Sequence, residues 1–131
     1  MNSLLLVDDN PRDLQIAADT ARDLGITDLN AQSSVLRARQ YLENALKGEL
    51  PLPEGIVLDL DLGFESGFEL LRYWHSTPQL TQIPMIIWSV VDRQREICDL
   101  FRVQSFVSKW EGPEALHDAL SQLASKPASL Y

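Results

Sequence analysis

Asp8 and Asp9 stand side by side directly behind an apolar run, in LLLVDDNP over residues 4–11. Asp59 and Asp61 follow a second run in GIVLDLDLG, Ser89 ends a third in PMIIWS, and Lys109 closes a fourth in FVSK. If one edge of a fold gathers these residues, carboxylates a few ångströms apart must raise one another's pKa unless a positive charge compensates them. A hard divalent cation does so through oxygen ligands. Magnesium in particular takes a few carboxylates, keeping its remaining octahedral places for water and phosphate oxygens. Lys109 would be the second positive element and Ser89 would add a hydroxyl.

The elements that would have to position these residues are legible in the periodicity. SLLLV at 3–7 is a continuous apolar run, as expected of a strand covered on both faces. Asn10 can cap a helix and Pro11 suits its first position. Leu14, Ala17, Ala18, Ala21 and Leu24 then recur at helical spacing up to Gly25. A weak strand is expected over 28–32 and a second helix over 34–47, followed by the proline-rich loop ELPLPEG. Ile56–Leu58 make a third strand, and Phe68, Leu70, Leu71 and Trp74 carry a third helix. PMIIWS gives a fourth strand, 92–102 a fourth helix, 105–108 a fifth strand and 113–124 a fifth helix. Five strands alternating with five helices predict an α/β fold with a doubly wound parallel sheet and right-handed crossovers. Ligands in such sheets sit beyond the carboxyl ends of the strands, at the point where strand order reverses. The acids, Ser89 and Lys109 all fall at such ends.

A chain of 131 residues fits one domain, read as 1–125 with a loose tail at 126–131. With 45% apolar and 23% charged residues the composition is globular. No apolar stretch is long enough to span a bilayer and no basic leader opens the chain, so membrane attachment is not expected and the cytoplasm is. The formal charge of −8 repels a phosphate backbone, which argues against direct nucleic-acid binding. Cys98, the single cysteine, has no disulfide partner and reads as a small packing residue. Trp88 and Phe64 likewise read as packing, His75 as an exposed bystander, and His117 as a helix residue without a metal partner.

VDDN at 7–10, LDLDLGFESG at 58–67, IIWS at 86–89 and FVSK at 106–109, in this order and spacing, resemble the receiver domain of two-component response regulators. The similarity extends over nearly the whole chain, and Gly67 lies eight residues beyond Asp59. The resemblance is to single-domain, chemotaxis-regulator-like receivers. It implies a flavodoxin-like five-stranded sheet of order 2-1-3-4-5, with Asp59 as the phosphoacceptor for a histidine kinase or histidine phosphotransfer protein. It further implies Mg²⁺ held by the side chains of Asp9 and Asp59, by Asp8 mostly through a water, and by the backbone carbonyl of Asp61. Lys109 would steady the phosphoryl group. Ser89 and Phe106 would act as the switch pair, changing a surface made by the fourth helix, fifth strand and fifth helix. That surface would receive a downstream protein partner or a second copy in a homodimer. On this reading the chain signals through contact and is no enzyme beyond self-catalysed phosphorylation and dephosphorylation. Asp61 and Val91 would help set the lifetime of the acyl phosphate.

Three positions depart from the family's pattern. Trp110 follows Lys109 where proline is usual, which predicts a trans bond, because a cis bond before a non-proline residue costs about 3 kcal/mol or more. Val90 replaces a small residue beside Ser89 and narrows access to Asp59. Arg102 takes the place of a glycine before the fifth strand, leaving the fourth helix in need of another cap. Val90 and Trp110 keep open a docking module that accepts no phosphate. Asp59-Leu60-Asp61 also matches the Asp-x-Asp element of haloacid-dehalogenase-type phosphatases. That element normally opens the chain, whereas here an acid pair precedes it.

Overall fold

The computed structural model describes residues 1–90 and 93–125; Val91, the first residue of the expected fourth helix and the expected tail at 126–131 lie outside them. Five parallel strands form one sheet: β1 (Ser3–Val7), β2 (Asp28–Gln32), β3 (Ile56–Leu58), β4 (Met85–Ser89) and β5 (Ser105–Ser108). Their order across the sheet is β2-β1-β3-β4-β5, as expected. The helices are α1 (Pro11–Asp23), α2 (Val35–Leu46), α3 (Gly67–Ser76), α4 (Gln94–Phe101) and α5 (Pro113–Ser125). Two small elements had no periodic signal: a hairpin pairing Asp61–Leu62 with Glu65–Ser66, and a one-turn helix at Pro78–Thr81. Both are too short for a repeat to show.

Why the strands read as unbroken apolar runs is visible in where alternate side chains go. Leu5, Val7, Ile56, Leu58, Met85 and Ile87 enter a core shared with α2, α3 and α4. Leu4, Leu6, Val57, Ile86, Trp88 and Val107 enter a second core shared with α1 and α5. Side chains alternate across a strand, so a strand buried on both faces needs apolar residues at every position. β2, an edge strand, has no fully buried residue, which is why its sequence signal is weak. Trp74 is 2% exposed, and its indole N–H donates to the Ile83 carbonyl at 2.9 Å, anchoring α3 to the approach of β4.

Register brings the carboxyl ends of the strands level. Val7 is paired with Leu58, Leu58 with Ile87, and Ser89 with Ser108. The residues that follow each strand therefore emerge along one edge.

Two backbone features carry consequences. Arg102 ends α4 in the left-handed region with φ 56°, and its N–H donates to the Cys98 carbonyl at 2.8 Å. The arginine thus performs the cap that glycine performs without steric cost. Arg102→Gly should raise stability by about 1 kcal/mol, read from the urea midpoint, since the left-handed conformation penalises a side chain by roughly that amount. Gly67 opens α3 against the end of β3, its N–H donating to the Leu60 carbonyl at 2.9 Å. A Cβ there would strike the Asp59 carbonyl oxygen and lie 2.7 Å from Leu60 Cα. Gly67→Ala should cost about 2 kcal/mol or more in the same assay, because backbone cannot move aside as a side chain can.

Candidate functional site

The site is assembled from four loop starts. Asp8 and Asp9 follow β1, Asp59 follows β3, Ser89 ends β4, and Lys109 opens a short 3-10 turn after β5. Backbone bonds fix the acids: the Asp59 N–H donates to the Val7 carbonyl at 2.9 Å, and the Asp8 N–H to the Gln32 carbonyl at 3.1 Å. Asn10 caps α1, its Oδ1 accepting from the N–H groups of Arg12 and Asp13 at 2.9 and 3.3 Å. Asp9 is therefore not needed as a cap, and its carboxylate is exposed.

Asp59 is 5% exposed and fully engaged. Its Oδ1 accepts from the Ser89 hydroxyl at 2.7 Å and from the Asp61 N–H at 3.0 Å, and its Oδ2 accepts from Lys109 Nζ at 2.9 Å. Lys109 Nζ also donates to Asp8 Oδ2 at 2.7 Å and to Asp13 Oδ2 at 2.8 Å. All three donors of an ammonium are thereby used. Its charge also stands over the Trp88 ring, 5.0 Å from the centroid. Among the described residues, one oxygen from each of Asp8, Asp9 and Asp59 lies within 4.8 Å of the others.

One lysine does not neutralise this many acids. Burial pushes the Asp8 carboxyl up from 3.8 to about 6, and the charge of Asp59 adds to the shift, against the opposing hydrogen bonds from Lys109 and the Asn10 N–H. Burial pulls Lys109 the other way, toward losing its proton. Its bonds to Asp13, Asp8 and Asp59 outweigh that effect, so its pKa lies above the ordinary lysine value and it stays charged.

The remaining residues singled out in the sequence fall as follows. Asp61 is exposed, its Oδ1 accepting from the Gly63 N–H at 3.3 Å, while its own N–H serves Asp59. Phe106 is half-buried against the core beneath α3 and α4. No peptide bond among the described residues is cis, so Lys109 to Trp110 is trans, and the turn it enters is capped by Ser108 Oγ, which accepts from the Trp110 N–H at 3.2 Å. Trp110 is 82% exposed and Val90 41%. Trp88 packs as expected. Phe64 does not: it is fully exposed on the turn of the small hairpin, between the pairs Asp61–Ser66 and Leu62–Glu65, and it is Leu62 that enters the core. His75 is exposed but meets Phe101 edge-on at 5.4 Å, and His117 is half-buried on α5, outside the acid cluster. Asp13 was not anticipated. The signal available was its place in the first turn of α1, four residues after Asp9.

A cavity of about 800 Å³ lies away from this site, lined by Arg39, Arg72, His75 and Phe101 among others. Glu69 also lines it and Arg39 is paired with Glu43 at 2.9 Å, so it has no marked charge, and it includes none of the acid-cluster residues, Ser89 or Lys109.

No protein-family profile matches the sequence, and no curated protein matches it. Solved structures do. The bacteriophytochrome response regulator RtBRR superimposes with a TM-score of 0.79 at 24% identity, covering 99% of this chain and 82% of that one. The Mn²⁺-bound form of response regulator Rcp1 gives 0.79 at 21%, covering 100% of this chain and 99% of that one. The chemotaxis response regulator CheY4 of Vibrio cholerae gives 0.75 at 18%, covering 94% and 98%. Element order, sheet order and full-length superposition together show that this chain has the fold of response regulator receiver domains.

Proposed function

We propose that the chain is a phosphoacceptor receiver in two-component, phosphorelay signalling, with Asp59 taking a phosphoryl group from the phosphohistidine of a sensor kinase or phosphotransfer protein. The observation that carries this reading is the buried Asp59 carboxylate, bonded at once to the Ser89 hydroxyl and the Lys109 ammonium and set against two further acids. An oxygen of Asp59 attacks phosphorus, the P–N bond of the donor breaks, and the imidazole nitrogen leaves with the electron pair and recovers a proton from solvent. Lys109 compensates charge on the phosphoryl oxygens, and Ser89 turns its hydroxyl from Asp59 to one of them.

The clustered oxygens of Asp8, Asp9 and Asp59 are a hard donor set that suits Mg²⁺, with Asp61 offering its carbonyl. Bound there, the cation would neutralise charge on the incoming phosphoryl group. That the similar Rcp1 was solved with Mn²⁺ supports a divalent ion in this role. Phe106, half-buried against the core shared with α2, α3 and α4, supplies the steric half of the switch. Phosphate biases two packings of the face made by α4, β5 and α5, where we place the downstream protein and any homodimer contact. We read residues 1–125 as the signalling unit, with 126–131 as a tail, working in the cytoplasm and not on nucleic acid. Turnover of an external substrate is not part of this reading. The phosphatase alternative would place Asp61 beside Asp59, but its Asp-x-Asp element normally opens the chain, whereas here Asp8 and Asp9 precede it, directly after β1. Trp110 and Val90, the departures behind the docking-module alternative, leave the bonds of Asp59 to Ser89 and Lys109 in place.

Incubation with phosphoramidate and Mg²⁺ should add one phosphoryl group to the intact protein, seen by mass spectrometry, and Asp59→Asn should abolish it. Uptake that persists in Asp59→Asn would refute the assignment of the acceptor.

A second outcome follows from Asp8. Its folded pKa is raised above the unfolded value, so without a divalent ion its contribution to stability is full below about pH 4 and is lost as pH rises through about 6. Wild type should therefore lose stability relative to Asp8→Asn between about pH 4 and 7 in urea titrations, while its Mg²⁺ affinity increases over the same window. A difference that stays flat would contradict the assigned burial of a charged Asp8.

A further inference from the structure

Asp13 bonds Lys109 at 2.8 Å, yet lies outside the cluster formed by Asp8, Asp9 and Asp59, and the chemistry just described does not use it. Its placement is built. Asn10 Oδ1 accepts the Asp13 N–H and Pro11 occupies the first position of α1, so the opening turn of the helix is fixed from the backbone. The carboxylate is left to reach the ammonium, where the side chains of Asp13 and Lys109 are 22% and 12% exposed.

The three partners of Lys109 are not equivalent. Asp8 and Asp59 supply oxygens to the cation cluster, and Asp59 also becomes the acyl phosphate. A divalent ion on those oxygens competes with the ammonium for lone pairs and repels it. A lysine held by those two acids alone would be displaced at the moment its charge is needed. Asp13 is the partner that neither cation nor phosphoryl group engages, and the Trp88 ring, buried and 5.0 Å away, favours the ammonium in the same place.

Resting on the receiver reading, we propose that Asp13 is a positioning residue, holding Lys109 at the crevice while Asp8 and Asp59 are occupied. It acts through Lys109 and touches no reacting atom. Asp13→Asn keeps the side chain's shape and leaves the Asn10 cap intact, but removes the charge-assisted bond.

The test is a double-mutant cycle on the full chain, with phosphoramidate and saturating Mg²⁺, together with NMR of ¹⁵N-labelled lysine ammonium groups in the Mg²⁺-bound protein. Asp13→Asn should slow phosphorylation about tenfold in the wild-type background, the scale of a lost charge-assisted hydrogen bond, and less than twofold in Lys109→Ala. Asp13→Glu should recover part of the loss, and the protected Lys109 ammonium signal should vanish in Asp13→Asn. Equal slowing with and without Lys109 would assign Asp13 a merely structural role, and no slowing would make the bond an incidental ion pair. If wild type takes up no phosphoryl group, the receiver reading fails on its own. The ammonium signal then decides the positioning claim, its loss in Asp13→Asn upholding it and its persistence overturning it.

Discussion

Carboxylates drawn from separate loops share one buried ammonium, and the rest of the site depends on that compensation. Two unit charges 4 Å apart interact by about 4 kcal/mol at an effective dielectric of about 20, so several acids held together at the edge of the sheet would strain the fold without it. Lys109 relieves the repulsion by donating a hydrogen bond to each of three different acids. Lys109 does not bring Asp8 back to the ordinary carboxylate range: burial holds its pKa up at about 6, and the charge of Asp59 adds to the shift. An arrangement with surplus negative charge and buried oxygens suits the further cation, and through it the phosphoryl group, that we propose for this site.

The sheet supplies the geometry that makes this possible. Parallel pairing of Val7 with Leu58, and of Leu58 with Ile87, puts the residues after β1 and β3 side by side. The two cores on either face of the sheet hold those strands rigid, so the acids cannot drift apart to lower their repulsion. Gly67 lets α3 begin against the Asp59 carbonyl, and Asn10 starts α1 close behind Asp9, so the loops carrying the acids are short and fixed at both ends. Function resides in those loops, and stability in the strands that present them.

Much of this was legible in the sequence because the signals were redundant. A strand buried on both faces announces itself by an unbroken apolar run, and strand-end acids stand out because like charges rarely adjoin a core without a reason. β2 was read at its observed bounds, though its edge position leaves a faint pattern. What escaped was of two kinds. The pairing of Asp13 with Lys109 spans 96 residues, and the place of Asp13 in the first turn of α1 does not by itself name so distant a partner. Phe64 reads as packing because aromatic residues usually bury, but it sits fully exposed on the turn of a hairpin whose Leu62 is the residue that enters the core. Arg102 shows the reverse case: a missing glycine is visible in sequence, whereas only the backbone shows that the arginine adopts the left-handed conformation in its stead.

If Lys109 and a divalent cation compensate the same carboxylates, each must weaken the other's hold. The direct measurement is the Mg²⁺ dissociation constant of Lys109→Met against wild type, taken by fluorescence titration at about pH 8, above the wild-type Asp8 pKa of about 6. Removing the ammonium should tighten Mg²⁺ binding by about tenfold or more, as expected when one of two competing cations is withdrawn. Unchanged or weaker binding in a folded Lys109→Met variant would contradict the shared-charge account of this site.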